Sequence, residues 1–341
     1  MSGSGLETPL TRDAGIGVPL IGGAMYPCSN PELVAAISEA GGIGIVQPVS
    51  LTFVHRYDFR EGLQYIRRLT DRPIGLNALI EKSSRRYQDR MSRWIDIALE
   101  EGVRFFVTSL GNPGWVVERT AAAGGVVYHD VTERKWAEKA VGAGVAGLIA
   151  VNDRAGGHAG PLSARALLDQ VEDLGAPVVC AGGVATEADF GRSLQMGYAG
   201  VQIGTRFIAT DECTASPAYK RAIVAAGEDD VVLSEKVTGV PLAVLRTSYV
   251  ESMGTRVGPV ARRLLRDRRT RHWMRMLYAV RSGIRLARAN EDPAARRQFW
   301  QAGKSVEGVR SIEPAGAIVR RFASAVSPLA SLEWPRPEPT P

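Results

Sequence analysis

A histidine in a glycine-rich loop is the strongest chemical feature of this chain. The stretch is Val151-Asn-Asp-Arg-Ala-Gly-Gly-His-Ala-Gly160, and the apolar run Gly147–Val151 breaks off into it. Gly157 on one side of His158 and Gly160 beyond it remove side chains that would crowd the imidazole, so a flat ligand can approach the backbone. An imidazole exchanges protons near neutral pH, which suits it to general acid–base work. Two more apolar runs end in glycine turns, Ala181-Gly182-Gly183 and Gly204-Thr205. Backbone N–H groups at such turns, backed by helix N-termini, form a concave anion site of phosphate size. Thr205 adds a hydroxyl donor. The other groups at the ends of apolar runs are Ala24-Met25, Asn77, His129, Asp130 and Gln202. The amides of Asn77 and Gln202 suit a heterocycle with mixed donors and acceptors. The chain offers no carboxylate pair of the glycosidase kind, no metal-ligand spacing and no nucleophile elbow. A site that can hold phosphate but has few charged catalytic groups leaves the difficult chemistry to a cofactor, and FMN is the leading candidate.

The elements that must position these groups alternate regularly. Apolar runs at 18–22, 43–46, 73–77, 104–107, 126–128, 147–151, 177–180 and 200–203 read as buried strands. Helical patterns separate them, for example Phe59–Leu69, with further helices at 87–100, 114–123, 132–143, 163–174 and 186–196. Continuous apolar strands alternating with amphipathic helices predict a parallel sheet covered on its outside. Eight such units predict a (β/α)8 TIM barrel rather than an open doubly wound sheet, with the chemistry at the C-terminal ends of the strands. Residues 1–15 read as a loose start, 16–215 as the barrel and 216–305 as a smaller, mostly helical subdomain. Residues 306–327 read as a final helix returning to the barrel, and 328–341 as a proline-rich tail.

Composition bounds the rest. The 341 residues are 45% hydrophobic with a formal charge of +6, enough for a substantial core. No apolar run reaches the ~20 residues needed to cross a bilayer, and the N-terminus lacks the pattern of a secretory signal. Three cysteines, Cys28, Cys180 and Cys213, have no pairing or metal-ligand spacing, so a reducing cytosol fits them, and Cys28 reads as a structural thiol. Positive charge gathers at Arg262, Arg263, Arg266, Arg268, Arg269 and Arg271, beside an apolar stripe of Trp273, Met276, Leu277, Val280 and Ile284. A solvated helix face accounts for such a run; docking of an acidic carrier or a nicotinamide phosphate is the functional alternative. No aromatic platform accompanies the arginines, which argues against nucleic acid.

The ordered set Pro19-Leu-Ile-Gly-Gly-Ala-Met25, Ser29-Asn-Pro-Glu-Leu33, Ser38-Glu-Ala-Gly-Gly-Ile43, Ala155-Gly-Gly-His-Ala-Gly160, Ala181-Gly-Gly183 and Val201-Gln-Ile-Gly-Thr-Arg-Phe207 resembles nitronate monooxygenase, formerly 2-nitropropane dioxygenase. These are FMN-dependent barrels, and the resemblance spans about residues 18–210. It implies His158 as the catalytic base facing the flavin. It further implies Ala24, Met25, Asn77, Gly157, Ala181, Gly182, Gly183, Gln202, Ile203, Gly204 and Thr205 around FMN, the last two on its phosphate. The chain departs from the family at Gly23-Ala24-Met25, where many relatives have Ala-Pro-Met. It departs again at His129-Asp130, where some relatives carry a lysine.

The resemblance implies oxidation of alkyl nitronates, or of nitroalkanes, with O2 to a carbonyl compound and nitrite. The alternative is an FMN-dependent NAD(P)H reductase of the enoyl-acyl-carrier-protein reductase II or quinone reductase type, which shares the Gly-Gly-His loop. An inosine-monophosphate-dehydrogenase-like barrel would need a nucleophilic cysteine after the sixth strand, where this chain has His158. Physiological substrate, use of NAD(P)H and oligomeric state are left open by the sequence.

Overall fold

The computed structural model describes residues 6–80, 85–236, 239–258, 267 and 298–326. Eight strands form a closed, all-parallel barrel in sequence order: β1 (Leu20–Gly22), β2 (Ile43–Val46), β3 (Ile74–Leu79), β4 (Phe105–Ser109), β5 (Val126–Val131), β6 (Gly147–Val151), β7 (Val178–Ala181) and β8 (Gly200–Ile203). Closure comes from β1 against β8, with Ile21 opposite Gln202. The helices outside are α2 (Pro31–Glu39), α3 (Phe59–Leu69), α4 (Arg85–Glu100), α5 (Gly114–Ala121), α6 (Arg134–Val141), α7 (Ala164–Val171) and α8 (Glu187–Gln195). This is the (β/α)8 barrel that the alternation predicts. The helix starts are locally encoded: the Asp58 carboxylate caps α3, the Ser163 hydroxyl caps α7, and Thr186 with Asp189 forms a capping box on α8.

Strand side chains alternate between two apolar layers. Leu20, Leu76, Phe106, Val127, Leu148 and Val201 face the helices, whereas Ile21, Ile45, Phe105, Val107, Tyr128 and Ile149 fill the barrel. A short helix that precedes the barrel, α1 (Pro9–Ala14), belongs to the inner layer: Leu10 is fully buried there. The Tyr128 hydroxyl donates to the Asp13 carboxylate at 2.8 Å, fastening α1 to β5. Residues 9–14 are therefore ordered within the stretch read as a loose start. Their signal is local, a Thr8/Thr11 capping box with Pro9 in the first turn.

After β8 come α9 (Thr205–Ile208) and α10 (Pro217–Ala225), then an antiparallel pair, β9 (Val231–Ser234) and β10 (Leu242–Leu245), and α11 (Ser248–Met253). The region read as mostly helical thus contains a two-stranded sheet among its described residues. The arginines of the 262–271 cluster and the stripe from Trp273 to Ile284 lie outside the described residues. A last helix, α12 (Ala315–Val326), packs against both α2 and α8, filling the ring between them. Arg206 of α9, almost wholly buried, reaches the Ala209 and Ser311 carbonyls and pairs with Glu313; Arg321 of α12 pairs with Glu313 and Glu187.

If α1 seals the barrel floor, Leu10→Ala should lower unfolding free energy by about 2–5 kcal/mol, through lost burial plus the cavity left behind. Leu10→Met should cost less than about 1.5 kcal/mol. Urea unfolding of the two variants checks this, and equal small losses would remove α1 from the core.

Candidate active site

The groups singled out in the sequence converge on the C-terminal mouth of the barrel, and each strand's pleat decides which of them face inward. On β3, Leu76 and Ala78 belong to the outer layer, so Asn77 faces the interior. On β8, Val201 and Ile203 are outer, so Gln202 faces the interior. Ala24 packs against the inner layer and Met25 against the outer one. A Cβ on Gly204 would sit 3.5 Å from Met25 Cγ and Sδ, and one on Gly23 would sit 3.1 Å from Gln202 Cγ. The ends of β1 and β8 therefore form one contiguous wall. Ile203 contributes only backbone to that wall, and its carbonyl already accepts from Gly23 N–H at 2.8 Å.

His129 and Asp130 are neighbours on β5 and face opposite ways. His129 stands in the wall with Val127 and Val131, buried, its Nδ1 2.8 Å from the Thr108 hydroxyl. Burial without a compensating charge pushes its pKa down to about 4, so the imidazole is neutral and structural. Its place among the strand-end groups in the sequence does not carry over to the mouth. Asp130 follows Tyr128 by two and faces inward. Burial raises its pKa to about 7, and the Gln202 side chain opposes that shift only in part. Its Oδ1 and the Gln202 Oε1 are both buried without a hydrogen-bond partner.

Asn152, which sequence reasoning passed over, organises the Gly-Gly-His loop. It is fully buried. Its Nδ2 donates to the Gly182 carbonyl at 3.0 Å, and its Oδ1 accepts from Arg154 N–H at 2.9 Å. Loop and glycine turn are thereby joined. Gly182 has φ +116°, and a Cβ there would lie 2.4 Å from Asn152 Oδ1 and 2.6 Å from Ala155 N. Only glycine satisfies both limits. The Arg154 side chain runs along Gly183 and pairs with Glu228 at 2.7 Å. His158 itself is exposed at the mouth, though surrounding protein desolvates it enough to lower its pKa from the ordinary 6.5.

A second unforeseen contribution comes from the C-terminal excursion. Ala243 N–H of β10 donates to the Gly157 carbonyl at 2.8 Å, and the same strand bonds the 300–302 segment through Leu245 N–H to the Trp300 carbonyl at 2.9 Å. Gly303 N–H donates to Thr205 Oγ1 at 2.9 Å, which leaves the Thr205 hydroxyl proton available to a ligand. A Cβ on Gly303 would approach Gly156 N to 2.5 Å, so two backbones meet there directly. Trp300 stacks on Tyr219, ring centroids 5.3 Å apart, and holds the segment in place. The glycine in Ala302-Gly303-Lys304 was the available sequence signal. Among the described residues no cluster of three metal-ligating side chains forms, and no helix is long and apolar enough to cross a membrane.

Comparison with known proteins agrees with this architecture. The family model described as nitronate monooxygenase matches residues 7–325. A (3aS,4S,5R,7aS)-5-hydroxy-7a-methyl-1-oxo-octahydro-1H-indene-4-carboxyl-CoA dehydrogenase of Mycobacterium tuberculosis is 31% identical over 294 residues, covering 84% of this chain and 80% of its own. A probable nitronate monooxygenase of Staphylococcus saprophyticus is 27% identical, covering 73% and 81%. Among solved structures, FabK from Thermotoga maritima superposes with a TM-score of 0.75 at 27% identity, over 95% of this chain and 98% of that one. With a family match running through the barrel, the glycine turns and the Gly-Gly-His loop, the chain belongs to the nitronate monooxygenase family of flavin-dependent oxidoreductases.

Proposed function

We propose that the protein binds FMN at the barrel mouth and oxidises alkyl nitronates or nitroalkanes with O2, with His158 as the base. The observation that carries this reading is the junction of the Gly-Gly-His loop to the Gly182-Gly183 turn through Asn152. It sets the imidazole and a glycine turn on one rim. The residues fit FMN. Gly182, Gly183, Gly204 and Thr205 offer backbone N–H groups and a hydroxyl for phosphate, with the Arg154 guanidinium alongside. Asn77, Gln202 and Asp130 offer polar atoms to the ring, and the unpartnered Asp130 Oδ1 and Gln202 Oε1 are acceptors that a bound heterocycle can satisfy. Ala24, Met25, Gly157, Ala181 and Ile203 supply small or apolar surface and backbone around it.

FMN, when bound, supplies electron acceptance from the substrate and return of the electrons to O2. The protein's part is proton chemistry and placement. His158 takes the proton from the carbon bearing the nitro group, and the charged product of that step is held beside the loop's backbone N–H groups. Partial desolvation by the surrounding protein favours the imidazole's basic form. A second reading is oxidation of an acyl-CoA, or an NAD(P)H-dependent reduction. The carboxyl-CoA dehydrogenase at 31% identity and the likeness to FabK favour it, since the same mouth would serve. Anaerobic mixing of the protein with a nitronate, an acyl-CoA and NAD(P)H in turn separates the readings by which reagent bleaches the flavin.

Three outcomes follow. Purified protein should be yellow and release FMN on heat denaturation; FAD in the supernatant, or colourless protein that takes up no FMN, would defeat the cofactor assignment. His158→Asn should slow turnover of a neutral nitroalkane about 10²–10⁴-fold while FMN stays bound, and should spare a preformed nitronate, which has already lost its proton. Equal losses on both substrates would make His158 a binding residue. Because the imidazole works as the neutral base and its pKa is lowered, kcat/KM for nitroalkane should fall on the acid side with a midpoint below the ordinary His value of about 6.5. A midpoint above that value would contradict the assignment.

A further inference from the structure

The mouth holds two buried acceptors without donors, Asp130 Oδ1 on β5 and Gln202 Oε1 on β8. An acceptor taken out of water and left unmatched is costly, so each marks a place where a ligand's O–H or N–H belongs. Strand order separates the two. Gln202 is level with Ala181 of β7, beside the Gly182-Gly183 turn, and Gly204-Thr205 follow it directly. Its donor therefore comes from the molecule whose phosphate those turns hold, and FMN carries a ring N–H and ribityl hydroxyls. Asp130 is separated from Gln202 by β6 and β7. It is level with Ile149 of β6, the strand that leads into the His158 loop. The neighbouring β4 extends this polar patch. Phe105 and Val107 belong to the inner layer, so Ser109, two residues on and half-buried, also faces the interior. Thr108 is level with His129, which sets Ser109 beside Asp130. Directly beyond, Leu110 is held at φ 62°, a left-handed backbone rare for a residue with a Cβ, and its side chain is exposed. A carboxyl and a hydroxyl on the inner wall, with an exposed leucine after them, suit a short apolar chain that ends in a hydroxyl.

We infer, on the nitronate reading with His158 as the base, that Asp130 binds the substrate through a hydroxyl that donates to its unpartnered Oδ1, so that hydroxylated nitro compounds are taken in preference to plain nitroalkanes. A plain nitroalkane brings no donor, and its binding would leave Asp130 Oδ1 buried and unmatched. For this reason a site built to hydrogen-bond a hydroxyl rejects the analogue without one, more strongly than an apolar pocket rejects a missing methylene. The hydroxyl serves the charged state as well. Once His158 has taken the proton, the nitronate is an anion in a mouth that already holds a carboxyl, and a donor on that carboxyl moderates the repulsion. Asp130 on β5 and His158 on the loop after β6 belong to neighbouring strands, so a hydroxyl fixed at one end of a short chain brings the nitro-bearing carbon to the imidazole.

The compounds 3-nitro-1-propanol and 1-nitrobutane have nearly the same shape and differ in a hydroxyl for a methyl group. Calorimetric titration of the FMN-loaded protein should show the alcohol binding about 10–100-fold more tightly. In Asp130→Leu, which keeps the size and removes both acceptor oxygens, that preference should vanish. In Asp130→Asn, which keeps one carbonyl oxygen, it should be reduced. The ratio of the two ligands on each protein cancels a general loss of binding in a variant. Should Asp130→Leu not fold, Asp130→Asn carries the comparison, and an unchanged ratio there counts against the inference. Equal affinities in wild type, binding of neither compound, or a preference that survives Asp130→Leu overturns it. Oxygen uptake and nitrite release, followed separately, test the nitronate reading. An alcohol that binds with this preference but is not oxidised defeats that reading and leaves the Asp130 site standing. Protein that takes up no FMN defeats the cofactor assignment, and the two ligands are then compared on the protein as isolated, with the same preference expected.

Discussion

The mouth of this barrel depends on the buried side-chain amide of Asn152. An amide taken out of water must find partners for both ends, and Asn152 finds them on two different loops: the Gly182 carbonyl after β7 and the Arg154 N–H of its own loop. Its backbone carbonyl also accepts from Ala155 and Gly160, and its N–H donates to the Ala181 carbonyl. These hydrogen bonds on one residue turn a stretch rich in glycine, which should be loose, into a fixed bracket. The positions of His158 and of the Gly182-Gly183 turn are consequences of that bracket. Neither could be held by its own glycine-flanked backbone, because glycine has the most freedom to lose.

Around this joint the molecule separates polar groups by face. Adjacent residues on β5 illustrate it: His129 is fixed in the wall as a neutral hydrogen-bonding group, and Asp130 faces the mouth as a carboxyl held near neutrality. Both shifts have one cause, withdrawal from water, and they have opposite signs because one group is charged when protonated and the other when deprotonated. A larger ion-pair network serves the last helix. Arg206, Glu313, Arg321 and Glu187 tie α9, α12 and α8 together, and the charges anchor the last helix into the ring.

The C-terminal excursion completes the site from above. β10 lies between Gly157 on one side and the 300–302 segment on the other, and Gly303 reaches down to the Thr205 hydroxyl. Residues far beyond the loop in the chain therefore set the backbone conformation beside His158. This is how a barrel shared by proteins of different activities can differ in substrate. The strand ends carry the common polar set, and the later chain, which follows the eighth strand, shapes the space above it.

Much of this was legible from residue order. The eight apolar runs lie within three residues of the observed strands at every end, because a parallel strand buried on both faces must be continuously apolar. The glycine turns and His158 stood out because function of this kind sits at strand ends. Local sequence therefore determined the barrel, its helices and the list of groups at its rim. What it left open was decided by contacts between distant segments. Which of His129 and Asp130 faces the mouth follows from barrel closure and pleat, since alternation along β5 has no absolute phase until its neighbours are in place. The seal of α1 and the clamp of β10 on Gly157 join residues far apart in the chain. Hydrophobic periodicity reports how much of an element is buried; only the assembled fold decides against what.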